Sequence, residues 1–309
     1  MTPNTKIKVI GVGGSGGNAV SRMKKCKIQG VELIAINSDA QDLKKIRADQ
    51  KIRIGRKLTQ GLGTGMNPEI GKRAAEEQRE EIQEVLKDSD LVFVTCGEGG
   101  GTGSGASPIV AEISKNLGIL TVAVVTKPFS FEGQTRMRIA EASIRKLKEK
   151  VDSLIVIEND KLLENLDPKT TLLNAFWICD DILRQAVQGI SDLITLPGII
   201  NVDFANVKTI LKDSGTALFG IGRAKGAGRA ENAIKMAISS PLLTISPKGA
   251  RGILFNVSGG KDISLSEIEE IGEIITQEIN PEAKVIFGAV QSEILKKGEI
   301  KVTVIITGF

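Results

Sequence analysis

The sequence predicts an α/β protein: a first domain on a doubly wound, mainly parallel sheet, a long central helix, and a smaller α/β C-terminal domain with a mixed sheet. Three observations carry this. Short runs rich in Val and Ile, apolar on both faces, alternate with helical patterns through the first half; such strands belong to a parallel sheet with helices on each side. Past residue 169 the pattern becomes one long apolar stripe at helical spacing. Strands and helices then resume in the last third.

In chain order, Lys6–Ile10, Glu32–Asn37, Leu91–Cys96, Leu120–Thr126 and Ser153–Glu158 read as strands. Asn18–Cys26, Pro68–Leu86, Ser107–Asn116 and Arg136–Lys148 read as helices between them. From Thr170 to Ile194, Leu172, Phe176, Cys179, Leu183, Ala186, Val187, Ile190 and Ile194 trace one face, widened by Leu173, Ile178, Ile182 and Leu193. A helix apolar over so much of its circumference is expected between two layers, as a bridge. Pro197-Gly198 then breaks the chain. Strands follow at Ala217–Ile221, Gly252–Val257, Lys284–Val290 and Ile300–Thr307, with helices near Glu231–Ser239 and Ser264–Ile279. The expected division is 1–169, a bridging helix 170–194, and 195–309, the last opening on a functional loop at 195–207.

Composition narrows the chemistry. The chain has no histidine, and Cys26, Cys96 and Cys179 lie far apart without a CxxC pair. That excludes a zinc site, a Ser-His-Asp triad and a Cys-His nucleophile, and no side chain is assigned as a metal ligand. A net charge of +4, 3% aromatics and no tyrosine argue against nucleic acid as a partner. The basic run Arg22–Lys27 reads as a solvated helix end. No apolar run approaches the roughly 18 residues of a membrane span, so no membrane insertion is expected. An odd cysteine count fits a reducing cytoplasm. The 34 glycines cluster in short loops, which suggests backbone pressed against a ligand.

Two of those loops follow strands. Gly11–Gly17 (GVGGSGG) satisfies GxGxxG, in which backbone N–H groups and a helix N-terminus approach a phosphate. Alone it supports an NAD-binding domain equally well, with Asp39 as the ribose acid. Gly97–Gly105 (GEGGGTGSG) is more specific: successive small residues form an anion-binding nest, and Thr102 and Ser104 add hydroxyls. A dinucleotide fold needs no such second loop, and GxxxxGK[ST] is absent.

With these motifs in order, the chain resembles the tubulin/FtsZ family, which includes tubulin-like division proteins of bacteria and archaea. The resemblance runs from about Lys6 to Thr307 through IKVIGVGGSGGNAV (7–20), INSDAQDL (36–43), GLGTGMNPEIG (61–71), GGGTGSG (99–105), LTVAVVTKPFSFEG (120–133), AVQGISDLI (186–194), NVDFANV (201–207) and AISSPLL (237–243). It implies a cytoplasmic protein that binds GTP or GDP, assembles head to tail into a homopolymer and hydrolyses GTP between subunits, with Mg²⁺ held mainly by the nucleotide phosphates. Gly13, Gly14, Ser15, Gly16 and Gly17 would meet the α and β phosphates, with Asn18 reaching the base. Gly99, Gly100, Gly101, Thr102, Gly103 and Ser104 would hold the phosphate chain. Gly63, Gly65 and Asn67 would sense the γ-phosphate region, and Asn37 would join the nucleotide site. Glu132 and Arg136 would bind ribose and phosphate; Asn159, Phe176 and Asp181 would recognise guanine, Asp181 as acceptor and Phe176 against the ring.

The catalytic segment, which enters the next subunit's pocket, would be Asn201 to Asn206, with Asp203 the first acid of the family's NVDFADV. This chain carries Asn206 where the family has the second aspartate. Asparagine orients water but accepts no proton. If the family carboxylate acts as a base, turnover falls by roughly two to four orders of magnitude; if it orients water, the loss is smaller. Glu98 is a second departure, a carboxylate where the family has an uncharged residue. The chain stops after its final strand, whereas the family continues into a linker and a short tail, so contacts to division-machinery partners would lie in a tail absent here. Two rival readings remain at this level: a GTP-binding structural polymer with negligible hydrolysis, and an NAD-dependent oxidoreductase.

Overall fold

The structure, a computed structural model, describes residues 5–163, 166–167, 169–196, 198–240, 248–292 and 295–309. It divides into two units, Met1–Gln188 and Gly189–Phe309. Pro197 and the end of the AISSPLL segment (241–243) lie outside the described residues.

The first unit runs β1 (Ile7–Val12), α1 (Gly13–Lys25), β2 (Val31–Asn37), α2 (Ala40–Lys45), β3 (Gln50–Arg53), α3 (Pro68–Glu77), α4 (Arg79–Leu86), β4 (Leu91–Gly97), α5 (Gly101–Asn116), β5 (Leu120–Lys127), a 3₁₀ turn at Ser130–Glu132, α6 (Gln134–Lys148), β6 (Ser153–Glu158), α7 (Asn159–Leu163) and the start of α8 (Leu172–Thr195). Its strands lie in the order β3-β2-β1-β4-β5-β6, every neighbouring pair parallel. The chain winds outward from β1 to β3, then from β4 to β6 on the other side. The strand order therefore reverses between β1 and β4, and the crevice beyond their carboxyl ends is where such a sheet binds ligands. Ile10, Val12, Val92, Val94, Ala123 and Val125 are buried with Ala106, Val110 and Ile113 of α5 in one core.

Both glycine segments differ from expectation in being helical. α1 starts at Gly13 rather than near Asn18, and α5 at Gly101 rather than near Ser107. Intrinsic propensity argues against glycine in a helix, but tight packing of these first turns overrides it. The expected helix 68–86 breaks at Gln78 (φ −108°, ψ 25°) into α3 and α4. α2, β3 and α7 are additional elements too short to announce themselves by periodicity.

α8 spans nearly the expected range, and Cys179, Leu183, Ala186, Val187 and Ile190 of its stripe are buried. Its first two turns depart from expectation: Leu172, Leu173 and Phe176 of the stripe are exposed, as is Trp177 beside them.

The second unit holds α9 (Phe204–Leu211), β7 (Gly215–Lys225), α10 (Arg229–Ile238), β8 (Gly252–Gly259), α11 (Leu265–Glu278), β9 (Lys284–Gln291) and β10 (Glu299–Thr307). The strand order is β7-β10-β8-β9, with β10 antiparallel to β7 and β8, and β8 parallel to β9: a mixed sheet, as expected. Ala233, Ile234 and Ala237 of α10 and Ile271 and Ile275 of α11 pack with Ile253, Phe255, Val302 and Val304 of the sheet. The stretch expected as the loop 195–207 turns helical at Phe204, because Asp203 caps α9.

Candidate functional site

In the first unit a cleft of about 430 Å³ lies where β1 and β4 end. Its wall includes Gly13, Gly14, Ser15 and Asn18 from α1, Gly100, Gly101, Thr102 and Gly103 from the start of α5, and Glu132, Arg136, Asn159 and Phe176. These twelve predicted residues are brought together from five segments of the chain.

The phosphate end rests on two helix N-termini. α1 and α5 each begin at the cleft, and neither has an acidic residue in its first turn. Two positive helix ends without internal neutralisation form an anion site. They approach so closely that a Cβ on Gly13, whose φ is +74°, would lie 2.9 Å from the Gly103 nitrogen. A Cβ on Gly101 would lie 2.2 Å from the Thr64 hydroxyl and 2.7 Å from the Asn67 nitrogen. Only glycine fits at this meeting of three backbones. Thr64 and Thr102 bring hydroxyls to the wall, their Oγ1 atoms 3.4 Å apart, and the buried Ser38 Oγ backs Thr102 Oγ1 at 2.7 Å.

The other end suits a base. Phe176 is 37% exposed, and Phe129 meets its ring edge-on at 5.4 Å between centroids. Asn159 is 4% exposed, and its Oδ1 is buried without a partner. A buried acceptor left unpaired on a cleft wall points to a ligand donor. Glu132 is more committed than expected: its Oε1 accepts from the Phe129 N–H (2.9 Å) and its Oε2 from Arg136 (2.6 Å).

Asp181 differs from expectation. It does not border the cleft; its carboxylate accepts from Arg184 Nε and Gln185 Nε2, each at 2.6 Å. Asp180 borders the cleft instead. The signal was present: residues four apart share a helix face, so 180, not 181, stacks on Phe176. Burial pushes the Asp180 carboxyl up to about 6, against the opposing pull of Arg22, whose Nε donates to its Oδ2 at 3.1 Å. Cys179 beside it is pushed to about 12 by burial and by Asp180 and Glu132.

Several predicted residues stand behind the wall. Gly16 and Gly17 lie within α1, Gly16 close against the Thr95 carbonyl. Asn37 is buried, donating to Asp42 Oδ2 at 2.8 Å and accepting from the Asp39 N–H at 3.2 Å. Asp39 caps α2 through the Asp42 N–H, which occupies the acid expected to bind ribose in a dinucleotide site. Gly63 and Gly65 take positive φ around Thr64, which does border the cleft, and Asn67 caps α3. The Gly99 N–H donates to Ser104 Oγ at 2.8 Å.

Glu98, the departure noted in the sequence, lies on the wall. It is 4% exposed; its Oε1 accepts from Cys96 Sγ (3.2 Å) and Ser107 Oγ (3.5 Å), and its Oε2 is buried without a partner. Burial raises its pKa, with the hydroxyls of Ser143, Ser104 and Ser107 and the Cys96 thiol pulling it back. Cys96 is raised well above the usual thiol range by burial first and by Glu98 second. The phosphate end thus holds a carboxyl whose charged form is disfavoured by burial.

In the second unit, Asn201, Asp203 and Asn206 are all exposed, while Val202 and Val207 beside them are buried anchors. Asn201 Oδ1 accepts from the Gly198 N–H at 2.7 Å, and Ile199 and Ile200 bond to the Ala289 carbonyl. These bonds anchor the start of the segment, and its three polar residues are exposed.

Comparisons with known proteins agree across the chain. Residues 6–167 match the tubulin/FtsZ family GTPase domain, and residues 215–309 match the FtsZ family C-terminal domain. An empty dimer of FtsZ from M. jannaschii is 47% identical, with a TM-score of 0.94 over 98% of this chain and 88% of that one. A point mutant of the same protein is also 47% identical, with a TM-score of 0.95 over 99% and 91%. CetZ2 from Haloferax volcanii, in a GTPγS-bound protofilament, shares the fold at 22% identity, with a TM-score of 0.79 over 98% of this chain and 92% of that one.

Proposed function

The chain belongs to the tubulin/FtsZ family, and from that membership we propose that it binds GTP in the first unit's cleft, polymerises head to tail, and hydrolyses GTP where another subunit's Asn201–Asn206 segment meets that cleft. It is a GTPase of the filament-forming, cell-division kind. The observation that carries the nucleotide reading is the convergence of two acid-free helix N-termini at Gly13 and Gly101, with an unpaired buried acceptor, Asn159, at the base end.

Phosphoryl transfer is mostly positioning and charge stabilisation. The backbone amides at the starts of α1 and α5, with the Thr64 and Thr102 hydroxyls, cradle the phosphate chain. Phe176 packs on the purine, while Asn159 and Asp180 pair with its polar edge; Asp180 takes the acceptor role expected of Asp181. No grouping of three or more Cys, Asp and Glu side chains suits a metal among the described residues. A Mg²⁺ held mainly by the phosphate oxygens of the bound nucleotide would supply charge neutralisation there.

Asp203 and Asn206, exposed on this anchored segment, orient the attacking water from the neighbouring subunit. The empty FtsZ dimer and the CetZ2 protofilament are assemblies of relatives, and this chain is assigned the same open, head-to-tail growth. Asn206 in place of the second acid makes hydrolysis slow. No helix among the described residues is long and apolar enough to cross a membrane; the family membership supports a cytoplasmic location.

Equilibrium competition against a fluorescent GTP analogue tests the nucleotide reading. GTP and GDP displace the probe while ATP and NADH do not; displacement by NADH alone would revive the oxidoreductase reading.

A further inference from the structure

We propose that Arg22 is the positioning residue of the base end: it clamps Asp180 Oδ2 so that the carboxylate meets the cleft as an acceptor, and guanine preference therefore depends on a side chain outside the cleft wall. The inference rests on the reading of the cleft as a GTP site with Asp180 at the base.

The geometry begins with α1. Its first turn forms the phosphate site, and Arg22 lies nine residues on, about 13 Å along the axis. Buried Ala19, Val20 and Met23 fix the helix against the sheet, so Arg22 is held at a set distance from the phosphates. Its Nε donates to Asp180 Oδ2 at 3.1 Å, and its guanidinium carbon lies 5.3 Å from the centre of the Trp177 ring. The planar guanidinium is thus fixed on two sides, by a carboxylate and by an aromatic face. Asp180 is 8% exposed and borders the cleft, and its bond to Arg22 is made through Oδ2.

The charge balance gives Arg22 its leverage. Burial alone favours neutral Asp180, and Arg22 is the cation that opposes it. The other groups nearby do not substitute. Cys179 on the same helix stays a thiol; Asp181 and Arg184, one turn on, are paired together; Glu132 and Arg136 on the cleft wall are also paired together. Guanine presents N1–H and a 2-amino group, both donors, so only the ionised carboxylate complements it. Inosine lacks the 2-amino group, so GTP over ITP preference reads the state of Asp180.

The experiment measures GTP and ITP affinity from pH 5 to 9 for the parent, Arg22→Gln and Arg22→Lys, with Trp177 emission recorded in parallel. The parent is expected to prefer GTP by on the order of ten- to a hundredfold at pH 7, as for a charged hydrogen bond, and to lose the preference below about pH 6. Arg22→Gln moves that midpoint upward, so preference collapses at pH 7 and returns on raising the pH. Arg22→Lys retains most of it and keeps the inference testable if the glutamine variant fails to fold. A folded Arg22→Gln protein with the parent's preference and midpoint overturns the inference while leaving the Asp180 reading intact. A parent that never distinguishes GTP from ITP overturns both.

Discussion

Asp203 Oδ1 accepts a 2.7 Å hydrogen bond from the backbone N–H of Asn206, closing the first turn of α9. One carboxylate oxygen of the only acid in the catalytic segment is thereby committed to a helix cap. The segment holds no other acid, because Asn206 stands at the second position.

Asn206→Asp should raise GTP turnover by roughly 10²- to 10⁴-fold, the range for an added general base. The new carboxylate lies in the first turn of α9, where the helix dipole favours negative charge, so folding is not expected to suffer. Single-turnover phosphate release measures it. An unchanged rate means that the side chain at 206 does no more than orient water.

Gly101→Ala should abolish GTP binding with modest loss of fold. The added Cβ meets Thr64 Oγ1 and the Met66–Asn67 backbone, so either the third loop or the α5 N-terminus must shift. Nucleotide content after purification and thermal melting together separate loss of the site from loss of the protein.

Glu98→Gln should stabilise the protein at neutral pH. Burial raises the Glu98 pKa above the usual 4.5, so the native state holds the proton more tightly than the unfolded chain. Parent stability therefore falls as pH rises from about 4.5 to the raised value, then levels off. The advantage of the glutamine variant should grow across that window and vanish near pH 4. Urea melts at several pH values provide the comparison, and a pH-independent difference would contradict the burial account.

Asp180→Asn should weaken GTP binding by about ten- to a hundredfold and improve XTP binding, since an amide donor complements the 2-oxo group. Asp181→Asn should change neither, because Asp181 pairs with Arg184 and Gln185. The reverse pattern would return base recognition to Asp181.

The fold was legible where burial on both sides leaves unbroken Val/Ile runs, as in β1, β4 and β5. The glycine loops were legible as phosphate sites but not as helix starts. Propensity penalises Gly13 and Gly101, and the contacts that reverse the penalty come from Gly103 and Asn67, remote in sequence from their partners. Thr64 lay in view between Gly63 and Gly65. Ser38 had no pattern of its own and backs Thr102 only because β2 is paired beside β1. Asp180 was within reach by counting four residues from Phe176, and the family motif drew attention to its neighbour. Arg22 read as a solvated helix end because the sequence hides that Asp180 and Trp177, some 150 residues later, meet it.

The central claim is that hydrolysis needs two subunits, and phosphate release from GTP with Mg²⁺ across a range of protein concentrations tests it most directly. The account predicts a slow rate per subunit that stays near zero below a threshold concentration and rises above it, with Asp203→Ala flat throughout. A rate per subunit independent of concentration would contradict it, because the site would then be complete in one chain.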